Sequence, residues 1–326
     1  MIARTIPWLL VCLLLFGVAA AEDNAAPPGI EEPPVETFDP EAELERLAPY
    51  LEDEAEAVRA VRQFDRLQQR FAAWDDELAE QYAAEGDMDL ARMALERGRT
   101  RMETVLTAYE QILERYPDNA VALNFSGEVH YDWLQNQGRA LEAWHRSREL
   151  DDQLAAPRNN LAIHYCHVGE YKDCLSLFDE AMELEPDNPD YLFNLAQIFL
   201  IHPRHVEAHY GIEGPEVYER AMEMSRKASE LKPNDFSLAQ DYAVNYFAGE
   251  RFGVQVDWGD AAKAWQATRR TVSRSDELFY TWLNEGRVWL RADNGDEAAR
   301  CFREALEIIP GNDVAQRLLE RAEAAG

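Results

Sequence analysis

The chain has 326 residues, 47% of them apolar and 29% charged, and 62 acidic against 32 basic side chains give a formal net charge of −30 at pH 7. That surplus repels nucleic-acid phosphates and anionic lipid surfaces, so neither is an expected partner. Beyond the opening segment only Cys166, Cys174 and Cys301 remain, an odd number that argues against a disulfide framework and for buried thiols.

Residues 1–21 read as a cleaved secretory signal. Arg4 supplies a positive start, Trp8 to Phe16 an apolar run, and Ala19, Ala20 and Ala21 a small-residue cleavage site before Glu22. The fourteen residues from Trp8 to Ala21 fall short of the roughly 18 or more that span a bilayer, so a membrane anchor is the weaker reading. Cys12 lies inside the apolar run rather than closing it, unlike a lipoprotein cysteine. The expected location is periplasmic or secreted, with no integral membrane segment after cleavage. Cleavage removes one basic residue, Arg4, leaving 31 basic and 62 acidic side chains. Residues 22–40 are acidic and proline-rich, with Pro27, Pro28, Pro33, Pro34 and Pro40, a composition that buries no core and predicts a disordered, extended tether.

Residues 41–116 predict a long helical hairpin. Leu51, Ala55, Val58, Val61, Phe64, Leu67, Phe71, Trp74, Leu78 and Tyr82 recur in steps of three or four, which marks one helical face. Gly86 and Asp87 break the run, and a second helix is expected from about Met88 to Tyr116, with Gly98 as its weak point. Alternatively, Leu78, Ala79, Tyr82, Gly86 and Ala91 belong to a degenerate repeat.

Residues 117–310 are periodic. Ala140, Cys174, Ala221, Ala261 and Ala298 are followed four positions later by Trp144, Phe178, Ser225, Trp265 and Phe302, and twelve positions later by Asp152, Pro186, Pro233, Ser273 and Pro310. Ahead of each lies another small residue, Gly127, Ala162, Ala196, Ala243 or Gly286, with His130, Tyr165, Phe199, Tyr246 or Trp289 three positions on. This pattern resembles the tetratricopeptide repeat (TPR), a 34-residue helix hairpin. Its best copy runs from Ala155 to Asn188, and only Arg158, at the opening tryptophan position, departs clearly. Small residues let the two helices approach, aromatic residues fill the space between neighbours, and proline ends the second helix. Two insertions interrupt the spacing, one around Leu200 to Pro215 and one mostly around Ala248 to Gly259. The resemblance implies an all-α fold, a right-handed superhelical α-solenoid of about five to six TPR helix hairpins. The long hairpin would precede it and a C-terminal capping helix, residues 311–326, would close it.

No nucleophile elbow, zinc-protease, paired-cysteine, phosphate-loop or haem-attachment motif occurs in the sequence, so no enzyme and no cofactor is expected. All seven histidines lie between His130 and His209. His202, His205 and His209 are the weak metal candidates, since His205 and His209 have helical spacing able to share one ion. Histidines that merely decorate helix ends are the competing reading.

The resemblance implies that first helices line a concave groove for a protein or peptide partner. Carried over by repeat position, the groove residues are Asn124, Glu128 and Tyr131, then Asn159, Ile163 and His167. Phe193, Gln197 and Leu200 follow, then Gln240, Val244 and Phe247, and finally Arg287 and Arg291. That face grades from acidic through apolar to basic. The family's carboxylate clamp lacks its basic half here, because Asn124, Glu128, Asn160 and Asp190 stand at the corresponding positions. The expected function is a non-catalytic scaffold or adaptor in the bacterial envelope. The alternative is a self-assembling protein that forms homo-oligomers through the near-heptad face of the N-terminal hairpin.

Overall fold

The computed structural model describes residues 38–325, so the signal at 1–21 and all but the end of the tether at 22–40 lie outside the described residues. Among the described residues every regular element is a helix. They divide into two compact units, one ending at Val256 and the other beginning at Asp257.

The first unit opens with α1 (Pro40–Leu47), α2 (Glu54–Glu85) and α3 (Met88–Arg115). Gly86 ends α2 at φ 88°, a conformation costly for a residue with a Cβ, and the chain turns at once into α3. The buried stripe of α2 is Ala57, Val61, Phe64, Asp65, Gln68, Ala72, Asp75 and Ala79, whereas Ala55 and Leu67 of the expected stripe are exposed. The core face is therefore rotated from the one that apolar spacing alone picks out. Its polar members are satisfied across the hairpin: Arg101 reaches Asp75 at 3.0 Å and Gln68 at 2.9 Å, and the Tyr109 hydroxyl donates to Asp65 at 2.8 Å. Gly98 is where α3 crosses α2 closely, since a Cβ there would sit 3.3 Å from the Asp75 Cβ. Val61, Phe64, Tyr109 and Ile112 share one core with Ala122 and Val129 of the next helix, which joins the hairpin to the first repeat.

The hairpins that follow in this unit are α4 (Ala120–Glu128) with α5 (Gln137–Leu150), α6 (Ala156–His167) with α7 (Tyr171–Leu184), and α8 (Pro189–Ile201) with α10 (Gly214–Leu231). A π-helical turn, Val129–Trp133, extends α4. The first insertion forms α9 (Pro203–Tyr210), and α11 (Phe236–Asn245) with the 3-10 turn Tyr246–Phe252 completes the unit. The second unit holds α12 (Trp258–Thr268), α13 (Ser275–Arg291), α14 (Gly295–Ile308) and α15 (Asp313–Ala325), each packed on the next. The division falls inside the second insertion.

The repeat residues do what close packing requires. Ala140, Cys174, Ala221, Ala261 and Ala298 are fully buried, as are Phe178, Trp265 and Phe302, with Trp144 and Ser225 nearly so. A Cβ on Gly127 would lie 2.5 Å from Trp144 Nε1, and one on Gly286 would lie 2.5 Å from Phe302 Cε1. Each proline that ends a second helix is followed two residues later by the cap of the next first helix. After Pro117, Pro186, Pro233 and Pro310 come Asn119, Asn188, Asp235 and Asn312, whose side chains accept backbone N–H bonds from Ala122, Tyr191, Leu238 and Ala315. In the second unit, Ala315 and Ala322 of α15 are buried with Phe279, Leu283 and Phe302, so the terminal helix covers the last apolar face.

One expectation is overturned. Cys166 and Cys174 are joined in a disulfide, with Cα atoms 5.2 Å apart, and among the described residues only Cys301 is a free buried thiol. Cys166 lies in the last turn of α6 and Cys174 in the first turn of α7, and the tight turn at Gly169 (φ 86°) folds one back onto the other. An odd count excludes a fully paired framework, yet it leaves room for a single staple.

Candidate protein-binding face

The first helices α4, α6, α8 and α11 are bonded to one another through their side chains. Asn124 Nδ2 donates to Glu128 Oε1 at 2.8 Å, and Asn160 Nδ2 donates to Asn124 Oδ1 and Glu128 Oε1, each at 3.1 Å. Asn159 donates to Asn160 at 3.3 Å, and Asn194 donates to Asn159 at 3.2 Å. From α8, Gln197 donates to the Asp241 carboxylate of α11. Asp241 also accepts from Ser225 Oγ at 2.9 Å and from Asn245 Nδ2 at 3.1 Å. Because a buried polar group left unpaired costs about 1–3 kcal/mol, these bonds hold the four helices in one register.

Sequence reasoning included Asn124, Asn159 and Gln197 but missed most of their partners. The signal was present one column away. Two positions before the small residue of each first helix stand Phe125, Asn160, Asn194, Asp241 and Asn284, polar in four copies of five. Asn284 is fully buried and donates to the Tyr280 carbonyl at 2.9 Å. Ser225, which departs from the aromatic pattern, is explained by the same column, since it faces the Asp241 carboxylate.

Two carboxyls in this wall are far from their usual behaviour. Burial pushes Asp241 up to about 7, against the hydrogen bonds from Ser225, Asn245 and Gln197. Burial likewise raises Glu128 to about 7, opposed first by the Arg62 guanidinium of α2, which stacks 3.3 Å above the Phe125 ring. The expected acidic end of the face is therefore only partly charged at neutral pH, and the long hairpin brings a cation to it.

The predicted groove residues separate into two groups. Asn124, Asn159, Gln197 and Leu200 are buried within the wall. Tyr131, Ile163, Phe193, Gln240, Val244 and Phe247 are half-buried, and His167 is exposed. Tyr131, on the π-helical turn, brings its hydroxyl 3.1 Å from His167 Nδ1 and 3.4 Å from His164 Nδ1, with its ring 5.2 Å from that of Trp144. Partial desolvation of its ring, then the neighbouring His164, lowers the affinity of His167 for a proton. Arg287 and Arg291 belong to the second unit. Arg287 is half-buried and donates to Asn284 Oδ1 at 2.8 Å, and Arg291 lies 5.8 Å from the Trp258 ring.

Two of the three histidines of the first insertion meet one ring, and the third goes elsewhere. His202 and His205 flank the Tyr171 ring at 4.6 and 3.9 Å. His209 Nε2 meets Asp179 at 3.0 Å, and Tyr210 donates to the same carboxylate at 2.7 Å. They fasten α9 to α7. Among the described residues no group of three or more His, Cys, Asp or Glu is arranged to hold a metal ion, and no helix is long and apolar enough to cross a membrane.

No protein-family model and no curated protein matches the chain. Among solved structures it is similar to YrrB, a TPR protein with an unusual peptide-binding site, at 18% identity over 65% of this chain and 98% of that one, with a TM-score of 0.48. The C-terminal part of a TPR-containing protein from Cytophaga hutchinsonii is 14% identical over 85% of this chain and 99% of that one, also at 0.48. PilW, a type IV pilus biogenesis factor, is 15% identical over 76% of this chain and 98% of that one, again at 0.48. The helix pairs of this chain are tetratricopeptide-like by their own packing, with small residues set against aromatic ones at the repeat spacing and a capped helix start after each closing proline.

Proposed function

We propose that the protein is an exported, non-catalytic scaffold that binds a segment of a partner protein along the wall formed by α4, α6, α8 and α11. The observation that carries this reading is two runs of side-chain bonds that meet on α8, one from Glu128 to Asn194 and one from Gln197 to Asn245, beside which Tyr131, Ile163, Phe193 and Val244 stay partly open. A wall already fixed by its own hydrogen bonds loses little freedom on binding, so its open apolar side chains contribute more of their burial to affinity. Extended or helical docking of a segment with an apolar centre suits such a surface.

Export is supported by the opening residues and, independently, by the Cys166–Cys174 bridge, since disulfides persist in oxidising compartments. A non-catalytic role is supported by the use of the ionisable side chains: the insertion histidines hold a helix, and the buried carboxyls hold the wall. The near-heptad region of α2 that suggests self-assembly contributes Val61 and Phe64 to the core shared with α3 and α4, which favours the scaffold reading.

The test is affinity capture from a native envelope fraction by the purified chain beside Ile163→Ala with Phe193→Ala. Both side chains are half-buried, so the pair should keep its helical content while recovering the captured partner about tenfold less well. Equal recovery would move binding to another surface.

A further inference from the structure

Between α10 and α11 lies a groove of about 380 Å³ lined by Tyr218, Met222, Tyr242 and Tyr246, with Glu219 and Glu223 exposed beside it. The Tyr242 and Tyr246 rings are 5.4 Å apart at 63°, and their hydroxyls are bonded at 2.8 Å, which fixes them as two angled walls. Tyr218 is buried below, held against the Phe252 ring at 5.8 Å. Arg226 also lines the groove, with its guanidinium bonded to Glu230 at 2.6 Å.

Tyrosine faces and carboxylates are both electron-rich, so the combination attracts an organic cation. Glu219 and Glu223 also line an adjoining concavity of about 580 Å³ that holds Glu213, together with Glu216 in an ion pair with Arg220 at 2.6 Å. The acidic edge of α10 is thus shared by two hollows, more room than one small ammonium ion fills. We propose that this groove is a second docking surface, which takes an arginine or lysine side chain from a basic segment of a partner protein. Tyr242 lies on the side of α11 roughly opposite Gln240 and Val244, given about 100° per helical residue, and Tyr246 opens the 3-10 turn that continues that side. The site therefore opens on a different face from Ile163 and Phe193, although the Ser225–Asp241 bond joins the two helices that form it.

The test is fluorescence anisotropy with a labelled peptide carrying two adjacent arginines in a Gly/Ser background, beside the same peptide with citrulline in their place. The arginine peptide should bind saturably and the citrulline peptide at least about tenfold more weakly. Tyr242→Leu with Tyr246→Leu leaves the net charge unchanged and should weaken the arginine peptide about tenfold, while Tyr242→Phe with Tyr246→Phe, which keeps both rings, should stay within about twofold. Ile163→Ala with Phe193→Ala should bind the peptide like the parent. If the leucine pair loses helical content, Glu219→Gln with Glu223→Gln, both exposed, decides, and its affinity should fall with a flatter salt dependence. No saturable binding, equal binding of the two peptides, or parent-like affinity in a folded leucine or glutamine pair would overturn the proposal.

Discussion

Gly127 and Gly286 each stand under an aromatic ring that belongs to the other helix of the hairpin, and neither ring has room to retreat because Trp144 and Phe302 are themselves buried. Gly127→Ala and Gly286→Ala should therefore each cost about 1–3 kcal/mol, although alanine favours helices elsewhere. Urea denaturation gives the values, and an unchanged midpoint would show that the helices can part without loss. The small-residue column was legible in sequence because repetition exposes it, but the bridge between Cys166 and Cys174 was not. Cys174 occupies the small-residue position of its copy and Cys166 reads as a buried thiol, so each has an explanation on its own. Only the turn at Gly169 places them together. A loop this short still restricts the unfolded chain, and Cys166→Ala with Cys174→Ala should lose about 2–3 kcal/mol. The reduced parent should lose as much, and a pair of alanines as stable as the oxidised parent would deny the bridge a stabilising role.

At the scale of the element, apolar spacing found α2 and misjudged which of its faces is inward. It counted apolar residues alone, and Asp65, Gln68 and Asp75 are buried with partners that come from α3. A charge can occupy a core position only when its partner arrives with it, and that pairing is invisible in a single helix read by itself. The polar wall escaped for the same reason, since Asp241 is intelligible only beside Gln197, Ser225 and Asn245. Its carboxyl makes a pH prediction with a definite sign. In the unfolded chain an aspartate gives up its proton near pH 4, whereas burial keeps the native Asp241 protonated up to about 7. Between those values the native state binds more protons, so this group lowers stability as pH rises, by up to about 1.4 kcal/mol per unit. The penalty is absent below the window and complete above it. Asp241→Asn cannot titrate, and Gln197 can turn its amide over to meet it. The difference in stability between pH 5 and pH 8 should shrink in the variant, and equal differences in variant and parent would place the titration elsewhere, with Glu128 the next candidate.

For the molecule as a whole, each unit holds a core that shares no residue with the other's. Val61, Phe64, Tyr109 and Ile112 anchor the first with Ala122 and Val129, and Phe279, Leu283, Phe302 and Ala315 anchor the second. Stability in a repeat array is approximately a sum of unit terms and nearest-neighbour terms, so a local defect should remain local. Gly286→Ala damages a contact between α13 and α14, both of the second unit. Amide hydrogen exchange followed by mass spectrometry should then quicken across α13, α14 and α15 and stay at the parent rate in α2, α3 and α4. Gly127→Ala should give the converse, because its contact with Trp144 lies in the first unit. Uniform quickening of all helices by either substitution would mean that the chain unfolds as one cooperative body. In that case the insertion after α11 would carry stability from core to core, and the wall on α4, α6, α8 and α11 would depend on helices that contribute nothing to its bonds.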